Sequence, residues 1–106
     1  MARALINLPV SVRRGEVIEI RTLINHPMET GYRRDGDGTL QPRDIIRRFT
    51  CRYDGEVVFS AELHAAIAAN PYIAFHTVAV DSGLLSFTWE GDNGFSQTES
   101  RAITVT

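Results

Sequence analysis

Apolar side chains recur at every second position along most of this chain, a period that commits it to strands with one buried face and not to helices. Between Glu16 and Ile24, the residues Ile18, Ile20, Thr22 and Ile24 share one side, and Glu19 and Arg21 take the other. From Ile45 to Tyr53, the side Ile45, Phe49, Cys51, Tyr53 opposes Arg48, Thr50 and Arg52. Asp54-Gly55 follows, a pair that tolerates the positive φ angles of a two-residue hairpin turn. Val57, Phe59, Ala61 and Leu63 then form the apolar side of the returning strand. Residues 72–80 are β-branched and aromatic behind the turn dipeptide Asn70-Pro71. Leu85, Phe87 and Trp89 alternate with Ser86, Thr88 and Glu90, and after the turn Gly91-Asp92-Asn93-Gly94 the alternation resumes to Val105. With a strand near residues 4–8, the pattern predicts an all-β fold, an immunoglobulin-like antiparallel β-sandwich of about seven strands. Residues 64–70, rich in alanine, predict the one helical turn.

A length of 106 residues gives one domain, residues 1–106, with a single core. Hydrophobic residues make up 43% and are spread along the chain, which argues against disorder. The net charge is −2, so no global positive field draws the chain to nucleic acid or to an anionic membrane. No apolar run approaches the roughly 20 residues of a membrane span. The first ten residues are too short an apolar stretch for a signal peptide and are interrupted by Asn7 and Pro9, which alone points to the cytoplasm.

Motifs that carry chemistry are not found. Asp35-Gly36-Asp37-Gly38 has the look of a calcium loop, but the twelfth position from Asp35 holds Ile46 where a bidentate Glu is required; a hairpin tip fits better. His26, His64 and His76 have no metal-type spacing, and no nucleophile elbow, phosphate-cradling Gly loop or His-Glu-x-x-His pattern occurs. The expectation is therefore no catalytic residue, no cofactor and no metal. The lone cysteine, Cys51, is either a small buried hydrophobe or a thiol bonded to another chain. Arg33, Arg34, Arg43, Arg47, Arg48 and Arg52 form either a patch for anionic oxygens or a set of solvated charges. Residues 25–44, with Pro27, Gly31, Gly36, Gly38 and Pro42, make a connection long enough to suggest function or mobility.

The run Thr22-Leu23-Ile24-Asn25-His26-Pro27-Met28-Glu29-Thr30-Gly31-Tyr32-Arg33-Arg34-Asp35 resembles the long-loop motif of the SoxZ family, the Z subunit of the thiosulfate-oxidation sulfur carrier SoxYZ. Pro42-Arg43-Asp44-Ile45-Ile46, the stretch Cys51-Arg52-Tyr53-Asp54-Gly55-Glu56-Val57-Val58-Phe59, the stretch Ala66-Ile67-Ala68-Ala69-Asn70-Pro71-Tyr72-Ile73 and Phe87-Thr88-Trp89-Glu90-Gly91-Asp92-Asn93-Gly94 extend the likeness over nearly the whole chain. The resemblance implies a SoxY partner, itself a related sandwich, whose flexible C-terminal arm ends in a Gly-rich cysteine motif and carries covalent sulfur between enzymes. This chain ends Arg101-Ala102-Ile103-Thr104-Val105-Thr106, with neither cysteine nor Gly-rich arm, so the resemblance implies Z and not Y. It further implies a heterodimer or higher assembly, transient docking with other thiosulfate-oxidation enzymes, and a periplasmic location reached by export with the partner. On this reading His26, Met28, Glu29, Arg33 and Arg34 are the candidate docking residues; the plainer reading has Glu29 or Thr30 capping turns and Met28 filling a gap. The alternatives from other classes are a stand-alone sandwich that binds a small ligand or glycan, and a small hydrolase.

Overall fold

Alternation decides which side chains meet between the layers, and the computed structural model, which describes residues 2–106, follows it closely. The strands are β1 (Ala4–Asn7), β2 (Ser11–Val12), β3 (Val17–Ile24), β4 (Ile46–Tyr53), β5 (Glu56–Glu62), β6 (Tyr72–Val78), β7 (Gly83–Gly91) and β8 (Ser96–Val105). A three-stranded sheet in the order β1-β3-β6 packs on a five-stranded sheet in the order β2-β8-β7-β4-β5. Pairing is antiparallel except for the short parallel ladder between β2 and β8. The fold is the expected β-sandwich; the strand beyond the expected number is β2, whose two residues are too short to show a period. No helix among the described residues is long and apolar enough to cross a membrane.

Phe49 on β4 is the hub of the core. Its ring centroid lies 5.2 Å from Trp89, 5.9 Å from Phe75 and 6.4 Å from Phe87, so one residue links both sheets. Phe59 stacks on Phe75 at 4.4 Å and closes the side where β5 faces β6. Ile18, Ile20 and Ile24 of β3 fill the opposite layer. Each such side chain contributes about 1.5–3 kcal/mol by leaving water. Trp89 is fully buried with its Nε1 unpartnered, a cost of about 1–3 kcal/mol that the bulk of the ring must offset.

Two local details shape the ends of the sandwich. At one end the Tyr53–Glu56 hairpin forms as expected, with φ of 48° at Asp54 and 88° at Gly55. The Tyr53 hydroxyl donates to the Asp81 carbonyl and accepts the Asp81 N–H at 3.2 Å, tying β4 to the β6–β7 connection. At the other end β4 pairs Ile46 with Gly91 and Arg48 with Glu90, leaving Arg47 as the extra residue of a bulge. The bulge explains why Ile45 and Ile46 are both buried while Arg47 and Arg48 both face outward. Gly91 is required here by space, since a Cβ on it would lie 2.5 Å from the Ile45 carbonyl oxygen.

The segment 64–70 makes a single turn, closed by the Ile67 N–H on the His64 carbonyl at 3.0 Å, and goes no further toward a helix. A few alanines ahead of Pro71 cannot repay helix nucleation. Cys51 sits in the core with no exposure, and burial pushes its thiol up to about 12. It behaves as the small buried hydrophobe; a bond to another chain would require its strand to turn out of the core.

Two measurements check this packing. Phe49→Ala is expected to cost about 3–5 kcal/mol in chemical denaturation, whereas Trp89→Phe, which removes the unpartnered donor with the lost volume, costs less. Cys51 is expected to resist a thiol reagent at about pH 8 in the folded protein and to react fully once the chain is denatured.

Candidate functional site

Residues 25–44 leave β3 and return to β4 as a projecting hairpin. The Glu29 N–H donates to the Asp44 carbonyl and the Asp44 N–H to the Glu29 carbonyl, both at 2.8 Å, and Arg34 bridges Leu40 further out. Every residue from 32 to 40 is exposed. The chain consequently measures 58 by 20 by 20 Å with a radius of gyration of 16.1 Å, against about 13 Å for a compact domain of this length. The longest strand, β8, accounts for about 33 Å at about 3.3 Å per residue; the hairpin supplies much of the rest.

The base of the hairpin is organised by a buried histidine. The His26 N–H donates to Asn70 Oδ1 at 2.9 Å, and the Asn70 N–H returns to the His26 carbonyl at 2.8 Å. His26 Nδ1 accepts the Met28 N–H at 3.0 Å, which places the ring proton on Nε2, 3.8 Å from Asp44 Oδ1. Phe95 meets the imidazole edge-on with centroids 5.1 Å apart. Met28 is buried at a φ of 49°, a left-handed conformation costly for its side chain, and its Sδ accepts the Ile46 N–H at 3.2 Å. Asn70 is likewise left-handed, with φ of 54°, which asparagine tolerates well.

A second anchor is Asp92, in the 3-10 turn Asp92–Gly94. Its carboxylate accepts Nε and Nη2 of Arg43 at 2.9 and 3.0 Å, faces Arg47 Nε at 3.2 Å and accepts the Ile45 N–H at 3.2 Å. Burial pushes the carboxyl up, but these hydrogen bonds and the two guanidinium charges hold it below the usual range. Within the hairpin, Arg33 grips Glu29 with two bonds of 2.9 Å, and that bond holds the Glu29 carboxyl low. Arg34 Nη1 donates to the Gly38 carbonyl at 2.8 Å. At the tip Asp35 spends its oxygens on the N–H groups of Asp37 and Thr39 and on Gln41 Nε2, so the Asp-Gly-Asp-Gly run is a turn.

The candidate docking residues therefore divide. His26 and Met28 are buried and set where the hairpin points; Glu29 braces Arg33, and Arg33 and Arg34 lie on its exposed surface. The arginines do not make one patch: Arg33 pairs with Glu29, Arg43 and Arg47 with Asp92, and Arg48 lies 3.9 Å from Glu62. Asn70, Asp92 and Phe95 were missed as site residues by sequence reasoning. Asn70-Pro71 and Gly91–Gly94 read only as turns, and nothing local signalled that both turns close on the same loop. Among the described residues no three His, Cys, Asp or Glu side chains gather as a metal-binding group.

Burial lowers the His26 pKa from 6.5, against the raising pull of Asp44 and Asp92. Protonation would also put a proton on Nδ1, where the Met28 N–H already points. The folded chain thus binds fewer protons than the unfolded one, so neutral His26 contributes fully above 6.5 and loses its contribution as pH falls below it. His26→Ala is expected to cost about 2–3 kcal/mol near neutral pH. Urea titrations at about pH 7.5 and about pH 5.5 check this, because the gap between wild type and variant should narrow at the lower pH.

Solved structures similar to this chain share its fold at low identity. Superoxide reductase (neelaredoxin) from Ignicoccus hospitalis is 13% identical with a TM-score of 0.72, covering 99% of this chain and 82% of that one. The sulfur carrier protein SoxY from Chlorobium limicola f thiosulfatophilum is 13% identical with a TM-score of 0.66, covering 97% and 78%. A putative superoxide reductase from Thermotoga maritima is 18% identical with a TM-score of 0.65, covering 97% and 85%. No curated protein matches the sequence significantly. The family described as "Sulphur oxidation protein SoxZ" matches residues 6–102, almost the full length of the chain. Because that match takes in the whole sandwich, from β1 to β8 and including the projecting hairpin, the chain belongs to the SoxZ family.

Proposed function

We propose that this chain is the non-catalytic subunit of a heterodimeric sulfur carrier. It holds the SoxY subunit, whose C-terminal cysteine arm carries covalent intermediates of thiosulfate oxidation between the pathway's enzymes. The observation that carries the reading is the family match over residues 6–102. The chemistry of Cys51 supports it: a core thiol pushed up to about 12 is unsuited to carrying sulfur, so the reactive cysteine belongs on the partner. The complex works in the periplasm, and this subunit is exported with its partner.

The hairpin is the docking element on which the arm rests or the pathway enzymes land. A projecting loop would be expected to move, yet this one is fixed by the His26–Asn70 bonds, the Asp92 ion pairs and its own Glu29–Arg33 brace. Tyr32, 85% exposed, and the guanidiniums of Arg33 and Arg34 are the side chains such a surface offers. Ordering the surface in advance reduces the entropy lost on docking.

The test is the double variant Arg33→Ala/Arg34→Ala assembled with the carrier subunit. Heterodimer yield and melting temperature should match wild type, while turnover by the enzymes that process the carrier falls by about tenfold, as for loss of one interface anchor. Unchanged turnover with an intact heterodimer would remove the docking role.

A further inference from the structure

His26 is held by contacts that suit one protonation state only. Its side chain is 4% exposed, and its Nδ1 accepts the Met28 N–H at 3.0 Å. An added proton would sit on Nδ1 and point at that N–H, two donors with no acceptor between them. Met28 depends on the bond. Its φ of 49° is left-handed and unfavourable for its side chain, and the Ile46 N–H on its Sδ is the weak kind of bond a thioether accepts. The charged ring has a partner on the other side instead. Asp44 Oδ1 lies 3.8 Å from Nε2, and Asp44 is the residue through which the returning limb of the hairpin pairs with Glu29. Asp92 also acts on the ring, but its oxygens are taken by Arg43, Arg47 and the Ile45 N–H. Phe95, edge-on at 5.1 Å, and Asn70, bonded to the His26 main chain, bring no charge. A neutral ring is thus bonded to Met28, and a charged one is repelled from Met28 and drawn to Asp44.

The geometry points to His26 as a pH-sensitive latch at the root of the hairpin, which holds the outgoing limb through Met28 when neutral and lets it go when protonated. Release stops at the root. The returning limb stays on Asp92 through Arg43 and the Ile45 N–H, so the hairpin pivots on the charged clamp and the sandwich keeps its core. Glu29 and Asp44, which exchange backbone bonds just beyond Met28, are the first residues affected. The Asp44 side chain is partly exposed, so its pull on the ring is screened and does not hold the hairpin in place. Burial disfavours the charged ring, so the latch is closed above 6.5 and opens as pH falls through the lowered value beneath it. The latch is independent of what lands on the hairpin. Its consequence rests on the docking reading above: acid weakens docking, because the surface is no longer ordered in advance.

Amide exchange on the full chain, followed residue by residue and corrected for the intrinsic rate at each pH, tests the latch. Between about pH 7.5 and about pH 5, protection of the Met28, Glu29 and Asp44 amides should fall by about fivefold or more. At both pH values these amides should be less protected than those of the central strand β4, as local opening requires. In His26→Asn the fall should vanish, because asparagine Oδ1 can accept the N–H two residues on and takes up no proton. Asp44→Asn, at a partly exposed side chain, serves if His26→Asn does not fold. It removes a carboxylate that favours the charged ring, so the midpoint of the fall should move to lower pH. Root amides with the same protection at both pH values, an equal fall in His26→Asn, or an unmoved midpoint in Asp44→Asn would each overturn the latch. Root amides that exchange together with β4 at every pH would overturn it too, since acid would then act on the whole fold. A ratio of wild-type to His26→Asn turnover with the carrier complex that stays constant while the root opens would instead overturn the docking reading and leave the latch standing.

Discussion

The reciprocal pair of hydrogen bonds between His26 and Asn70 is the constraint on which the projecting hairpin of this molecule depends. It joins the exit of β3 to the entry of β6, two segments 44 residues apart in sequence. Because the main chain of His26 is fixed there, its ring is presented to the Met28 N–H, and the chain can turn through a left-handed Met28 into the hairpin. Each bond is worth about 1 kcal/mol net, and breaking one costs more wherever it strips the buried His26 backbone of its partner. A loop that would otherwise be loose is given a defined root.

Charge completes what the histidine starts. Asp92 gathers two guanidiniums and one backbone N–H at the mouth of β4, where the bulge at Arg47 turns two consecutive arginines outward. The hairpin emerges between a buried neutral clamp on one side and a charged clamp on the other. Such an arrangement fixes direction without adding apolar surface to the hairpin, which leaves Tyr32, Arg33 and Arg34 available to another molecule.

Much of this was legible in the sequence, and the reason is physical. Period-two alternation fixed the strands because one face of each is buried, and Asp54-Gly55 fixed its hairpin because few residue pairs accept two positive φ angles. The bulge at Arg47 is marked by Ile45-Ile46-Arg47-Arg48, which fits period two in neither register, but nothing local says which residue is the extra one. His26 and Met28 stood out in the loop, but their burial was hidden, because it is created by Asn70 and Phe95 from distant turns. The alanines at 65–69 pointed to one turn and no more, and the segment is held by the bonds between Asn70 and His26.

The central claim is that the missing chemistry of this sandwich resides on a partner it holds. Native mass spectrometry of the chain isolated from cells oxidising thiosulfate tests it most directly. The account predicts a one-to-one complex with a second chain that bears a modifiable C-terminal cysteine and gains mass as a sulfur adduct, while Cys51 stays unmodified. A lone monomer, or an adduct on Cys51, would contradict it.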